Sequence, residues 1–521
     1  MILKPSLIEG FKLYGGNMNN SIISRILDDF FNQTGNTWIE ENVLTAFLNK
    51  KRIRYNLNDL LLDDILMSRA LNGVSYYTIP KYNFWERNIA QNIIRIMEHY
   101  QSPRISDLEI DRYITEVEKE TGKTLHSQQR DAVKCAIRYG VCVITGGPGT
   151  GKTCTLQTLE KVMQRIFYRI DLRYTAPTGK AARRITESTG KASKTVQKEL
   201  GITFENHRKM KFGGNILIID EISMLDCETA FHVFRAIDNG QKIILVGDID
   251  QLPSVGPGAV LRDLIWSEVI PTVMLTKTFR QANDSNLFAN IMAIRNGQWQ
   301  LTQGSDFDIY PVTQNTDAVK MLSDLFIREV HQYGIRNAAL LLPYRKAGKL
   351  CSDYMNNVLQ PLVNPANGQN FMSGFTDAGL PVRYLPGDPV MQLVNRPECV
   401  NGDVGFVTSI HGGKMSVKYA DGATVYYTKK DINQLSLAYS MSINKSQGSE
   451  YKSVIMGITM AHKAMLNRNI LYTGVTRAKE KVTLLQEDTA MIEAIKNEVS
   501  YSRVTFLPEM LQEEYNKVFT V

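Results

Sequence analysis

The chain has little cysteine and no pattern in it. Its 521 residues include six: Cys135, Cys142, Cys154, Cys227, Cys351 and Cys399, and no two lie at C-x-x-C spacing. That pattern excludes a disulfide framework, argues against a zinc site and fits a reducing compartment, so a cytoplasmic location is expected. No apolar stretch approaches the roughly 18 residues a membrane helix needs, so no membrane partner is expected. The first ten residues lack the charged segment and apolar run of a signal peptide. Low-complexity tracts and short repeats are missing too, which excludes fibrous and repeat classes. Neither sign of charge dominates: 60 Lys and Arg against 53 Asp and Glu leave +7. That balance permits nucleic-acid binding without requiring it.

What is present reads as two textures. Up to residue 120 the pattern is helical. Ile22–Phe31, Val43–Leu48 and Leu57–Leu71 carry apolar residues at helical spacing, Val74–Ile79 follows as a short strand, and Asn83–Tyr100 reads as a longer amphipathic helix. A winged-helix-like unit and a plain helical appendage both fit.

From about residue 121 strands, loops and helices alternate. Val141–Thr145, Leu172–Thr175, Ile216–Ile219 and Lys242–Val246 are short apolar runs, and Lys152–Ile166 is a helix. This is the βαβ rhythm of a parallel sheet. A second set starts at Ala338–Leu342 and resumes at Ser453–Ile458 and Val482–Gln486. Between them, Val382–Tyr427 has short alternating strands broken by turns such as Asn401-Gly402-Asp403 and Asp421-Gly422. The fold expected is therefore α/β, with a small antiparallel barrel inserted into the second parallel-sheet domain.

The chemistry starts at Gly146-Gly147-Pro148-Gly149-Thr150-Gly151-Lys152-Thr153, a G-x-x-x-x-G-K-T loop between a strand and a helix. Glycines let backbone N–H groups wrap phosphate oxygens at a helix N-terminus. Lys152 is expected on the β- and γ-phosphates and the Thr153 hydroxyl on Mg²⁺. Ile216–Ile219 runs into Asp220-Glu221; Asp220 suits the metal and Glu221 the attacking water. The strand before Gly247-Asp248-Ile249-Asp250 leads to Gln251, placed to touch the γ-phosphate.

The order of these motifs resembles the RecD-like branch of superfamily 1B helicases, the exodeoxyribonuclease V alpha-subunit family, over about residues 70–500. Leu125–Ala132 is similar to its adenine-reading motif, with Gln129 as reader. Ala176–Ala182 is similar to its first strand-binding motif, and Gly247–Gly256 to its third motif. Phe279-Arg280-Gln281 and Leu471–Ala478 resemble the motifs that carry arginine fingers, here Arg280 and Arg477. Leu342–Arg345 resembles a strand-contacting loop, and Ser442–Glu450 the fifth motif, with Asn444 where the family usually has His.

The resemblance implies an ATP-dependent DNA helicase that moves 5′ to 3′ on single-stranded DNA and unwinds 5′-tailed duplex. It implies two RecA-like motor domains, an SH3-like barrel and a mainly helical N-terminal domain. The divisions expected are 1–120 for the N-terminal domain, 121–312 for the first motor domain, 313–375 and 433–521 for the second, and 376–432 for the barrel. ATP would meet Gln129, Gly147, Gly149, Thr150, Gly151, Lys152, Thr153 and Glu450, and Mg²⁺ would meet Thr153 and Asp220. Catalysis would fall to Lys152, Glu221, Gln251, Arg280 and Arg477. The strand would cross Pro177, Thr178, Lys180, Tyr344, Arg345, Ser442, Asn444 and Lys445.

Residues 201–214 are the candidate duplex-splitting pin. Ile202, Phe204 and Phe212 are apolar enough to stack there, and His207, Arg208, Lys209 and Lys211 are placed to hold DNA. A monomer is expected, with membership of a larger helicase–nuclease complex as one alternative. Another is an ATP-gated binding or remodelling protein that never unwinds.

Overall fold

Short β-branched strands that alternate with amphipathic helices bury both sheet faces, and here they build two parallel sheets. The computed structural model describes residues 18–202, 211–279, 285–313, 316–368, 370–376 and 379–520. The first sheet has the order Ser193–Thr195, Leu172–Ala176, Ile216–Ile219, Lys242–Gly247, Val141–Gly146, Thr272–Leu275, with every pairing parallel. The second runs Phe307–Pro311, Ala478–Gln486, Tyr451–Ile458, Ala338–Leu342, Ser440–Ser442, also wholly parallel. Ile216–Ile219, Lys242–Gly247 and Val141–Gly146 of the first sheet and Ala338–Leu342 of the second are buried along their whole length, as two-sided helical cover requires.

Strands Pro389–Gln392, Val404–His411, Lys414–Tyr419, Thr424–Thr428 and Leu435–Leu437 form a five-stranded antiparallel sheet. It lies between the strands Ala338–Leu342 and Ser440–Ser442 in the chain, so it is an insertion into the second parallel sheet. Val382 belongs elsewhere, in a separate hairpin that pairs Met372–Phe375 with Pro381–Tyr384.

The N-terminal part departs from its sequence reading in one place. The helical pattern over Leu57–Leu71 stops at Leu62, and Met67–Leu71 is a strand paired to Val74–Thr78. The reason is the turn. Asn72 and Gly73 have φ of 51° and 77°, the two positive values that a two-residue hairpin demands. The strand Ile39–Glu40 completes a three-stranded sheet.

The C-terminal segment returns to this region. Helix Leu507–Phe519 packs on helix Pro80–His99. Between the two elements, buried Glu86 accepts hydrogen bonds from Trp38 Nε1 at 2.8 Å and the Phe506 amide at 3.3 Å, and burial pushes its carboxyl up to about 8. No described helix is long and apolar enough to cross a membrane.

Candidate functional site

The phosphate-loop residues leave the end of Val141–Gly146 and turn into helix Lys152–Ile166. Gly149 and Gly151 have φ of 76° and 79°. A Cβ at Gly151 would lie 2.2 Å from Gln129 Nε2, so glycine is required there on conformation and on space. The loop is braced from inside: Thr150 Oγ1 donates to the Gly147 carbonyl at 2.8 Å. Lys152 Nζ donates to the carbonyls of Gly146 and Gly147, which keeps the ammonium on the loop it serves.

The cavity above this loop holds about 320 Å³ and is built from both sheets. From the first come the loop residues Gly147 to Thr153 together with Asp220, Glu221 and Gln251; from the second come Glu450, Thr476 and Arg477. Asp220 and Glu221 end the strand Ile216–Ile219. Glu221 takes a left-handed backbone, φ 55°, and its amide donates to Asp220 Oδ1 at 2.8 Å. A strained non-glycine residue is tolerated where the turn has to aim two adjacent carboxylates. Burial, helped by Glu221, pushes the Asp220 carboxyl up to about 6 against the pull of Lys152. The pocket thus carries negative charge beside a phosphate cradle, which suits a dication held between Asp220 and the Thr153 hydroxyl.

Arg477 is 3% exposed and is held by neutral acceptors: the carbonyls of Thr473 at 3.1 Å and Ser449 at 3.3 Å, and Thr476 Oγ1 at 3.2 Å. Its charge is therefore left for the cavity. Glu450, by contrast, pairs with Arg184 and with Lys479 at 3.1 Å. The Arg184 pair crosses between the two sheets. Gln129 is buried; its Nε2 donates to the Thr150 carbonyl at 3.2 Å and its Oε1 accepts from the His126 amide at 2.9 Å. Among the described contacts it braces the loop and does not line the cavity.

Three residues to which the sequence assigned no role at the nucleotide complete the site. Arg184 and Phe279 line the cavity. Tyr472 OH donates to buried Asp248 at 3.0 Å, and Asp248 also accepts from Gln251 Nε2 at 3.3 Å. Through this carboxylate a hydroxyl of the second sheet's unit holds the glutamine loop of the first. The same loop is gripped twice more, by Thr473 Oγ1 on the Leu252 amide at 2.9 Å and by Asn469 Nδ2 on the Asp250 carbonyl at 2.9 Å. Helical spacing from Lys180 to Arg184 was a usable signal for the first residue. Nothing local marks the link of Tyr472 to Asp248.

The strand residues fall at the carboxyl ends of both sheets. Thr178 caps helix Gly179–Thr189 by accepting from the Ala181 amide at 3.3 Å, and Ser442 caps Ile443–Ser446 by accepting from Lys445 at 3.4 Å. The turn at Asn401-Gly402-Asp403 wedges between these two caps. Lys445 Nζ donates to Asn401 Oδ1 at 2.8 Å, and Arg183 pairs with Asp403 at 3.0 Å. Lys180 Nζ is buried without a hydrogen-bond partner among the described residues. Burial pushes it down to about 8, with Asp403 opposing and Arg477 and Lys445 adding to the fall. Pro177 is half-buried and Asn444 exposed. Arg345 faces Asp353 at 3.6 Å, and Tyr344 meets His462 edge to face. Arg280, His207 and Lys209 lie outside the described residues, as does most of the candidate pin.

The chain is similar to several known proteins. A family model described as an AAA domain matches residues 124–311, and one described as a UvrD-like helicase C-terminal domain matches 437–485. The chain is 32% identical over 370 residues to an ATP-dependent RecD2 DNA helicase of Deinococcus radiodurans, across 70% of this chain and 49% of that one. It is 28% identical over 420 residues to the RecBCD enzyme subunit RecD of Mycolicibacterium smegmatis, across 71% of this chain and 73% of that one. The chain thus spans about half the length of the first relative. A solved Bacteroides Pif1 helicase structure, in complex with ADP-AlF3 and ssDNA, superposes with a TM-score of 0.47 at 20% identity, covering 76% of this chain and 98% of that one.

Proposed function

The chain belongs to the RecD-like branch of the superfamily 1B helicases, and on that premise we propose that it hydrolyses ATP to move 5′ to 3′ along single-stranded DNA and open duplex ahead of it. One observation carries the reading. The phosphate loop, Asp220, Glu221 and Gln251 of one sheet share a cavity with Glu450, Thr476 and Arg477 of the other. A nucleotide seated there senses, and sets, how the two sheets sit against each other.

In this reading residues 121–312 are the first RecA-like motor domain, and 313–375 with 433–521 the second. Residues 376–432 are the SH3-like barrel and 1–120 a mainly helical N-terminal domain. Lys152 binds the β- and γ-phosphates, on a loop that Gln129 braces from behind. Glu221 orients the attacking water and takes its proton as the bond between the γ-phosphorus and the leaving oxygen breaks. Gln251 contacts the γ-phosphate. Arg477, with Arg280, spreads the charge on the transferring group, a task for a planar fork that stays ionised. Mg²⁺ bound by Thr153 and Asp220 would neutralise phosphate charge. Lys180 and Lys445, at the two caps, hold the strand by its phosphates. The protein acts in the cytoplasm as a monomer.

Strand-stimulated ATP hydrolysis together with unwinding of duplexes that bear either a 5′ or a 3′ tail tests all of this. Stimulation with 5′-tail preference is expected. Hydrolysis indifferent to DNA refutes the motor, and 3′-tail preference refutes the direction.

A further inference from the structure

One cavity takes no part in nucleotide chemistry or the track. It holds about 850 Å³ between the C-terminal half of helix Ser352–Val363, the hairpin of Met372–Phe375 with Pro381–Tyr384, and the start of the segment after Thr428. Its charged lining is of one sign: Arg383, Lys429 and Lys430 line it, and no Asp or Glu does. Lys429 and Lys430 are exposed. Among the described residues none of the three cations forms an ion pair; Arg383 instead lies over the Phe371 ring at 4.3 Å.

The carboxylates that neighbour the cavity in sequence are committed elsewhere. Asp388 is buried under hydrogen bonds from Asn364 and Tyr439 OH, both at 2.7 Å. Asp431 pairs with Arg396 at 2.9 Å. Phe375 of the lining stands open at 68% exposure, and Phe371, 51% exposed, lies next to it in the fold with Arg383 on one face. Unneutralised cations beside exposed aromatic faces are what phosphates and unstacked bases need together.

We propose that this cavity is a second nucleic-acid site, and that it takes the strand displaced by unwinding. The inference rests on the reading of the chain as a nucleic-acid motor. A single strand is the occupant because a duplex hides the base faces that Phe371 and Phe375 would stack on. The site is separate from the track. Helix Ser352–Val363 begins at the Tyr344-Arg345 loop, where the Ser352 amide donates to the Tyr344 carbonyl at 3.0 Å. It lines the cavity from Asn357 onward, about 8 Å along the helix from Ser352 and on its C-terminal half. A motor that opens duplex keeps one strand in the track and releases the other, and the released strand supplies bases already free to stack.

The test compares two DNAs by fluorescence anisotropy: a 5′-tailed duplex, and a fork that adds a 3′ arm on the other strand. The parent protein should bind the fork about tenfold more tightly. Lys429→Glu with Lys430→Glu should erase that preference, flatten the salt dependence of fork binding by about 1.4 in log–log slope, and leave binding of the 5′-tailed duplex and strand-stimulated ATP hydrolysis unchanged. Phe375→Ala should also erase the preference without altering charge. Equal binding of fork and tailed duplex by the parent overturns the proposal, as does an undiminished preference in both variants. So does a polyglutamate peptide that competes for the parent's extra affinity when a non-complementary oligonucleotide does not, because the site would then be for an acidic protein. Loss of strand stimulation in the parent refutes instead the motor reading, and is read in a different assay.

Discussion

The two parallel sheets present loops at matching positions and give them different chemistry. Past Val141–Gly146 the first sheet carries the glycine loop, whose positive φ values let backbone amides converge on a phosphate. By strand order the counterpart of Val141–Gly146 in the second sheet is Phe307–Pro311, and the residues from Val312 to Asp317 that follow include no glycine. One device recurs in both. Thr178 follows Leu172–Ala176 and caps helix Gly179–Thr189, and Ser442 ends Ser440–Ser442 and caps Ile443–Ser446; each helix carries a lysine in its first turn, Lys180 and Lys445. The difference teaches that the repeated architecture decides where loops project, and the loop residues decide what is bound there. In the proposed reading the first sheet's loops close on a nucleotide, and a cap from each sheet faces the strand.

The largest break in the symmetry is expected at the adjacent carboxylates Asp220-Glu221, which the first sheet brings to the cavity. Glu221→Gln should keep ATP binding and slow hydrolysis by about 10²–10⁴-fold, the usual loss when a positioned base is removed. Steady-state ATPase assays beside nucleotide-binding titrations measure both. Parent-like turnover would mean that the two sheets are less different than their loops suggest. In the proposed reading the second sheet's contribution to hydrolysis rests on Arg477. Arg477→Lys keeps the charge and removes the fork, so hydrolysis should fall about 10²-fold with binding retained.

How far the sequence shows this contrast depends on distance along the chain. The glycine loop, the carboxylate pair and the arginine of Thr476-Arg477 are local patterns, and the cavity gathers them. The short parallel strands Ser193–Thr195 and Ser440–Ser442 were not legible, since three residues carry no periodicity. Met67–Leu71 read as helix because apolar spacing alone outweighed the Asn72-Gly73 turn that fixes it as a strand. Contacts between sheets were invisible: Arg184 meets Glu450 and Asp248 meets Tyr472 across more than 200 intervening residues. The burial of Lys180 is of the same kind, next to the turn at Asn401-Gly402-Asp403 of the antiparallel insertion.

A smaller effect sharpens the comparison at the link between sheets. Tyr472 OH is a donor to the carboxylate that also holds Gln251. Tyr472→Phe removes one hydrogen bond to a buried charge, worth about 1.5 kcal/mol or somewhat more. The maximal strand-stimulated rate should fall about tenfold while the KM for ATP stays near the parent value, because the hydroxyl positions the glutamine loop and need not hold the nucleotide. An unchanged rate would remove the link from the coupling route.

The smallest effect is a pH dependence that separates the two matching lysines. In the strand-free chain burial pushes Lys180 down to about 8, and Lys445 and Arg477 reinforce the fall. A strand phosphate favours the ammonium form. Below about 8 the amine is charged and adds one phosphate contact; as pH rises through that value the free protein loses the proton and binding must restore it. Affinity for single-stranded DNA should therefore decline between pH 7 and 9, and the log–log salt slope should weaken by about 0.7, one contact's share. Lys180→Arg stays charged through this range and should bind with little pH dependence, whereas Lys445→Arg should keep the parent's decline. Anisotropy titrations at constant ionic strength read both slopes. A decline that survives in Lys180→Arg would assign the titration to another group and leave the two caps equivalent.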